Sequence, residues 1–261
     1  MRALSIAATG MSAQQMRVDT ISQNLANMNT TGYNARRAEF ADLHYQQMAR
    51  PGTINASDGR VLPTGVQLGL GVRPAAVTIE LAQGAPLATG GDLDVAIEGS
   101  GYLEVTLPSG ASAFTRDGGL KRSPEGVIIT SAGHPVAPEI VIPDDTFSLS
   151  ISADGEVYAY FQDQIEPALL GQFTLANFTN AKGLEAIGGN LFLETVASGP
   201  AMVTTPGQDG IGTLRQGYLE ESAVDAVREV TELIKAQRGY ELNAKVITAA
   251  DQMLSATTQI R

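Results

Sequence analysis

Cysteine is absent from the 261 residues, which excludes disulfide frameworks and thiolate metal centres and leaves the redox compartment open. Tryptophan is absent too and aromatic residues make up only 5% of the chain, so little is available for a sugar-stacking platform. No run approaches the roughly 18 consecutive apolar residues of a membrane-spanning helix, and no membrane insertion is expected. The opening Met1-Arg2-Ala3-Leu4-Ser5-Ile6-Ala7-Ala8-Thr9-Gly10 holds one arginine and a short apolar run broken by Ser5, Thr9 and Gly10. A cleaved secretory signal is therefore not expected, and any route out of the cytoplasm would keep this N-terminus. A basic stripe is also missing. With a net charge of −11 the chain lacks the phosphate-neutralising surface that supplies most nucleic-acid affinity, so no nucleic-acid partner is expected.

The chain breakers are unevenly placed. All 12 prolines lie between Pro51 and Pro206, and 25 of the 28 glycines between Gly52 and Gly217. Charge divides the same way: residues 1–50 carry +2, residues 51–220 carry −12 and residues 221–261 carry −1. Two breaker-poor ends thus flank a breaker-rich, acidic middle.

The N-terminal end has a seven-residue period. Leu4, Met11, Val18 and Leu25 form one row, and Ala7, Gln14, Ile21 and Met28 form the row three residues on. This is the pattern of a coiled-coil seam, with a stop signal at Thr31-Gly32. From about Glu221 the C-terminal end behaves alike. Ser222 is the candidate cap, with Asp225 as the following acid. The rows run Ala226, Leu233, Tyr240, Ile247, Leu254 and Ala223, Val230, Gln237, Ala244, Asp251. Ile234, Leu242, Val246, Ala249 and Met253 add a second apolar flank. Such helices either cover their own domain or associate with other copies. The middle already reads as a unit with its own core, and a two-helix hairpin would leave its outer flanks exposed, which favours self-association.

Between residues 60 and 205, runs rich in Val, Ile, Leu, Phe and Tyr recur at 66–72, 76–81, 93–97, 102–107, 127–130, 140–142, 149–151, 157–161, 169–175 and 191–196. Turn signals such as Pro108-Ser109-Gly110, Asp117-Gly118-Gly119 and Asp154-Gly155 separate them, as in an antiparallel β domain. Residues 46–75 read as an extended or hairpin-like connector and 198–217 as a second one. The sequence predicts a multi-domain α+β chain: paired N- and C-terminal coiled-coil-like helices (1–33 plus 220–261), extended or β-hairpin connectors (34–90 plus 198–219) and a central all-β antiparallel domain (91–197).

Catalytic chemistry finds no foothold, and no catalytic, metal or cofactor-binding residue is assigned. His44 and His134 have no ligand-spaced partner. Gly69-Leu70-Gly71 lacks the third glycine and the following helix of a dinucleotide loop. Asp92 with Asp94 and Asp144 with Asp145 sit at strand starts or turns, without the acid spacing of a calcium loop.

Residues 22–40, SQNLANMNTTGYNARRAEF, resemble the N-terminal signature of the flagellar rod, hook and hook-associated proteins, matching it at Asn24, Asn27, Asn29, Thr31, Gly32 and Tyr33. Residues 234–254, IKAQRGYELNAKVITAADQML, resemble the C-terminal signature of the same axial family at Gln237-Arg238, Tyr240-Glu241, Asn243 and Asp251-Gln252-Met253-Leu254. GDLDVAIEGSGYLEV at 91–105 is similar to the β-domain entry of the hook and larger rod proteins, and 62–74 and 187–218 are similar to the distal-rod members. Gly239 stands where relatives often carry alanine, which marks either a local weakness of about 1 kcal/mol or a close helix approach.

The resemblance implies a non-enzymatic structural subunit of the distal rod, polymerising into a rigid hollow drive shaft that carries torque and lets exported subunits pass. It implies export through the flagellar channel without a cleaved signal, and a place in the basal body across the periplasm. The implied partners are other copies, proximal-rod proteins, the hook protein and the P-ring and L-ring proteins. Leu4, Met11, Val18, Ile21, Leu25 and Met28 would form the N-terminal assembly surface, and Val230, Leu233, Gln237, Tyr240, Ala244, Ile247 and Leu254 the C-terminal one. Residues 46–65 resemble the region that separates stiff rod from bendable hook, so deleting 50–62 is expected to give flexible or polymorphic tubes. Competing readings are a hook-type or proximal-rod axial protein and, more distantly, a secreted β-rich binding protein.

Overall fold

The computed structural model describes residues 2–49, 64–162, 166–208 and 210–259. They fall into two compact units, one drawn from residues 1–25, 36–78 and 226–261 and the other from residues 26–35 and 79–225.

The first unit contains both long helices, α1 (Arg2–Ala26) and α2 (Ala226–Gln259). Neither holds a proline, and each carries one glycine. The helices lie antiparallel: Gly10 faces the Asn243 amide, Gln14 faces Gly239, Arg17 pairs with Glu232 and Asn24 bonds Glu229, so rising numbers on α1 meet falling numbers on α2. The same unit holds the strand pair Arg36–Asp42 with Val72–Ile79 and an antiparallel hairpin of Tyr45–Ala49 with Val66–Gly69, with Tyr45 opposite Gly69 and Gln46 opposite Leu68. Residues 50–62, the proposed deletion, lie outside the described residues.

The second unit is built on antiparallel strands. Among the described residues its largest sheet runs Glu185–Gly188, Leu191–Leu193, Ser112–Thr115, Tyr102–Thr106, Leu175–Asn177 and Met202–Thr204, and Val136–Ala137 also pairs with Tyr102–Thr106. Leu103 opposes Thr115 and Leu175, while Glu104 opposes Phe114. Alternation then sends Leu103, Val105 and Ala113 into the main core with Val95, Ile97, Val157 and Phe173. Tyr102, Phe114 and Ala176 go to the opposite face, which Phe178, Leu184 and Phe192 cover. The scarce aromatics concentrate there: Phe114 and Phe178 meet edge to face at 4.8 Å, and Tyr102 lies 5.9 Å from both Phe178 and Phe192. A three-stranded sheet, Thr146–Ile151, Glu156–Phe161 and Ala168–Gln172, completes the core through Ile151 and Val157.

Several expectations move. α1 ends at Ala26, so Met28 lies in the following turn and is exposed. α2 begins at Ala226, and the Ser222 hydroxyl accepts the Val224 N–H at 3.4 Å in a turn ahead of the helix instead of capping it. Residues 140–142 form no strand; Val141 makes a single bridge to Val127 while Ile140 and Ile142 fill the core. The run at 169–175 divides into Ala168–Gln172 and Leu175–Asn177, which belong to different sheets. Strands at Ser112–Thr115, Thr213–Gln216 and Tyr218–Glu220 carry no apolar run long enough to announce them. Within 198–217, Ile211 and Leu214 are buried in the second unit's core.

Candidate assembly surfaces

Between α1 and α2 the contact row is made of small and polar residues. Ala7, Ala13, Thr20, Ile21 and Asn24 are buried on α1, and Ala236 and Ala250 on α2. A Cβ added at Gly10 would stand 3.0 Å from the Asn243 amide, and one at Gly239 would stand 3.1 Å from Gln14. Gly239 therefore marks a close helix approach. Glu232 bridges Arg17 on α1 and Lys235 on its own helix, the latter at 2.8 Å. Those cations hold its carboxyl below the usual carboxylate range, the Lys235 hydrogen bond having the largest effect and burial opposing it.

The heptad row read from sequence lies one residue, about 100°, around α2 from this contact row. Leu233, Ala244 and Ile247 are half-buried, whereas Val230, Gln237, Tyr240 and Leu254 are exposed. On α1, Ile21 is buried and Leu4, Met11, Val18 and Leu25 are half-buried. Farther round α2, Val227 (78% exposed), Ile234, Leu242 (62%), Val246 and Met253 (65%) form a long apolar flank open to solvent. α2 thus has one face used inside the chain and apolar faces that a single chain leaves uncovered.

The motif residues after α1 are tied down one by one. Asn24 is buried, and its amide donates to the Arg36 carbonyl and accepts the Arg36 N–H, both at 2.8 Å, clasping the first strand residue as another strand would. Asn27 shapes the turn: its carbonyl accepts the Thr30 N–H at 3.1 Å and its side chain accepts the Thr30 hydroxyl at 3.2 Å. Asn29 is exposed. Thr31 offers its carbonyl to the Asn190 amide at 2.6 Å, Gly32 donates to the Glu220 carbonyl at 2.9 Å, and buried Tyr33 offers its carbonyl to the Ala223 N–H at 2.9 Å. Gly32 has φ +65°, and a Cβ there would lie 2.8 Å from the Arg116 carbonyl. Only glycine satisfies both conditions.

That loop rests on a pair the sequence does not single out. Arg116 and Glu220 are both buried and joined at 2.8 Å. Arg116 also donates to the carbonyls of Gly99 at 2.9 Å and Gly101 at 3.2 Å, while Glu220 accepts the Gly84 N–H at 2.9 Å. Each charge is solvated by groups far away in sequence. The one hint in the chain is a lone charged residue at the end of a short strand (Glu220) or just after one (Arg116), a common feature. The pair also bears on Tyr102, whose phenol is raised chiefly by burial, with Arg116 lowering it and Glu220 raising it.

Two of the four carboxylates weighed for chemistry, Asp94 and Asp144, have structural partners. Asp94 accepts the Thr89 hydroxyl at 2.5 Å, and Asp144 pairs with Arg122.

Three family models match this arrangement. Residues 4–34, α1 and its motif turn, match the flagella basal body rod protein model. Residues 96–159 match the D1 domain of the flagellar hook protein FlgE/F/G, and residues 215–260 the C-terminal model of the flagellar basal body rod FlgEFG proteins. The flagellar basal-body rod protein FlgG of Caulobacter vibrioides is 51% identical over the full length of both chains. The FlgG proteins of Buchnera aphidicola from Acyrthosiphon pisum (45%, 98% of both chains) and of Bacillus subtilis (35%, 100% of this chain and 99% of the relative) are also similar. The chain belongs to the flagellar basal-body rod protein family. As a member it is a structural subunit of the flagellar rod and not an enzyme. The N-terminal rod model ends on Asn34, just past the residues that Glu220 and Ala223 hold, and the C-terminal model contains both of those partners.

Proposed function

We propose that this rod-family chain is the distal-rod subunit, polymerising into a straight hollow shaft that transmits motor torque to the hook and passes exported subunits through its bore. The observation that carries the reading is the full-length likeness to FlgG rod proteins together with the uncovered apolar flanks of α2. An apolar stripe of that length open to water favours burial against further copies, at about 25 cal/mol per Å². In this reading the seam residues, from Leu4, Met11 and Val18 on α1 to Val230, Leu233, Tyr240, Ile247 and Leu254 on α2, meet neighbouring copies. The terminal-helix domain lines the tube, residues 34–90 and 198–219 connect, and the acidic β domain (91–197) faces outward.

Proximal-rod proteins lie below it, the hook protein above it, and the P-ring and L-ring proteins around it. The shaft crosses the periplasm after export that leaves the N-terminus uncut. The acidic surface suits rotation inside the rings because a strongly charged, hydrated surface resists non-specific sticking. Electron microscopy of the concentrated full-length chain tests the reading: straight hollow tubes are expected, and a protein that stays monomeric under every condition would overturn it.

A further inference from the structure

Charge divides between the two compact units more sharply than along the chain. The β unit, residues 26–35 and 79–225, carries five Lys or Arg against 20 Asp or Glu, a net −15. The unit that holds both helices carries 12 against eight, a net +4. Between Arg122 and Lys182 there is no lysine or arginine, yet eight carboxylates occur there. The whole three-stranded sheet, Thr146–Ile151, Glu156–Phe161 and Ala168–Gln172, lies in that stretch.

Most cations of the β unit are already engaged. Arg116 is buried against Glu220, Arg122 pairs with Asp144, and Arg215 lies over the Tyr218 ring at 3.9 Å. That leaves Lys121 and Lys182, exposed and without an ion pair among the described residues. Glu139, Asp145, Glu166 and Glu185 are likewise exposed and make no ion pair among the described residues. Two β units side by side therefore have few pairs to form and a large charge of one sign to bring together. The helical unit has the opposite balance. Its net charge is small, and the uncovered flank of α2, Val227, Ile234, Leu242, Val246 and Met253, favours association.

We propose that the β unit is an electrostatic brake on polymerisation: the apolar helix faces draw copies of the chain together, the like-charged β units oppose it, and ionic strength sets the balance. Screening supplies the switch. At about 10 mM salt the Debye length is about 30 Å, which exceeds the radius of gyration of a unit this size, about 15 Å. Each neighbour then feels most of the −15. At about 0.15 M salt the Debye length is about 8 Å, and only charges at the contact rim still repel. The sign of the salt effect also reports how copies meet. β units beside β units assemble better as salt rises. A copy whose +4 unit docked onto a neighbour's −15 unit would assemble worse, because screening removes an attraction. The brake presupposes the polymer reading above and adds the condition under which copies join.

The test uses the full-length chain and reads the critical concentration for tubes by sedimentation. From about 10 mM to about 0.15 M NaCl it should fall about ten-fold or more. A critical concentration that stays flat or rises overturns the proposal. A quadruple variant, Glu139→Gln, Asp145→Asn, Glu166→Gln and Glu185→Gln, should polymerise at low salt at a critical concentration about three-fold or more below wild type, and respond less to salt. Lys121→Gln with Lys182→Gln should need more protein than wild type at low salt and match it at high salt. Circular dichroism and melting stay at wild-type values in both. Salt that promotes the quadruple variant as strongly as the wild type acts through apolar burial, which sinks the brake and spares the rod reading. A wild-type chain that forms no tubes at any ionic strength sinks both.

Discussion

Gly32 shows how a single residue answers two demands. A side chain at φ +65° costs about 1–2 kcal/mol by itself, and the 2.8 Å approach to Arg116 adds to it. Gly32→Ala should destabilise the second unit by about 2 kcal/mol or more, read from urea midpoints. Glu220 is held more strongly. Glu220→Ala leaves the Arg116 charge buried and unpaired, a loss of about 3–5 kcal/mol that denaturant unfolding would register. Asp117 gives a pH signature. Burial, its largest influence, raises its carboxyl above the ordinary value, against hydrogen bonds from Gly119 and Ser131 that lower it. Its contribution to stability is fully present below the unfolded-state value and is lost as pH rises through the raised folded value. Asp117→Asn keeps an oxygen for the Gly119 N–H (3.0 Å) and removes that loss. The variant's stability relative to wild type should therefore increase as pH rises above about 4 in paired urea titrations.

At the scale of elements, α2 is the informative case. Its contact row against α1 is small and polar, Ala236, Gly239 and Asn243, and its apolar residues lie elsewhere. Heptad spacing announces a helix that needs neighbours, but spacing alone does not say which neighbour takes which face. Close approach goes to the row without bulk, because Gly10 and Gly239 let the backbones near each other, and the bulkier rows are left for others. Substituting Leu233 and Tyr240 with Asp should abolish tube formation in sedimentation and electron microscopy while the β unit keeps its circular dichroism and melting. Tubes of normal appearance from that variant would show that the row plays no part between copies.

For the whole molecule, two units with separate interiors imply separate fates under protease. Limited digestion of the monomer is expected to leave a resistant fragment containing residues 79–225, whose core is continuous from Val95 to Leu214, with α1 and α2 removed; mass spectrometry of the digest checks it, and helices that resist as long as the core would contradict it. What was legible in the chain follows from local physics. The seven-residue rows, the breaker-rich acidic middle and its alternating strands each rest on neighbours in sequence, and they suffice for two long helices and an antiparallel β region. What only the tertiary structure decided depends on distant partners: the burial of Arg116 against Glu220, the clamp of Asn24 on Arg36, and which face of α2 meets α1. A buried charge or amide is tolerable only where the right groups arrive from elsewhere in the chain, and no local pattern records their arrival.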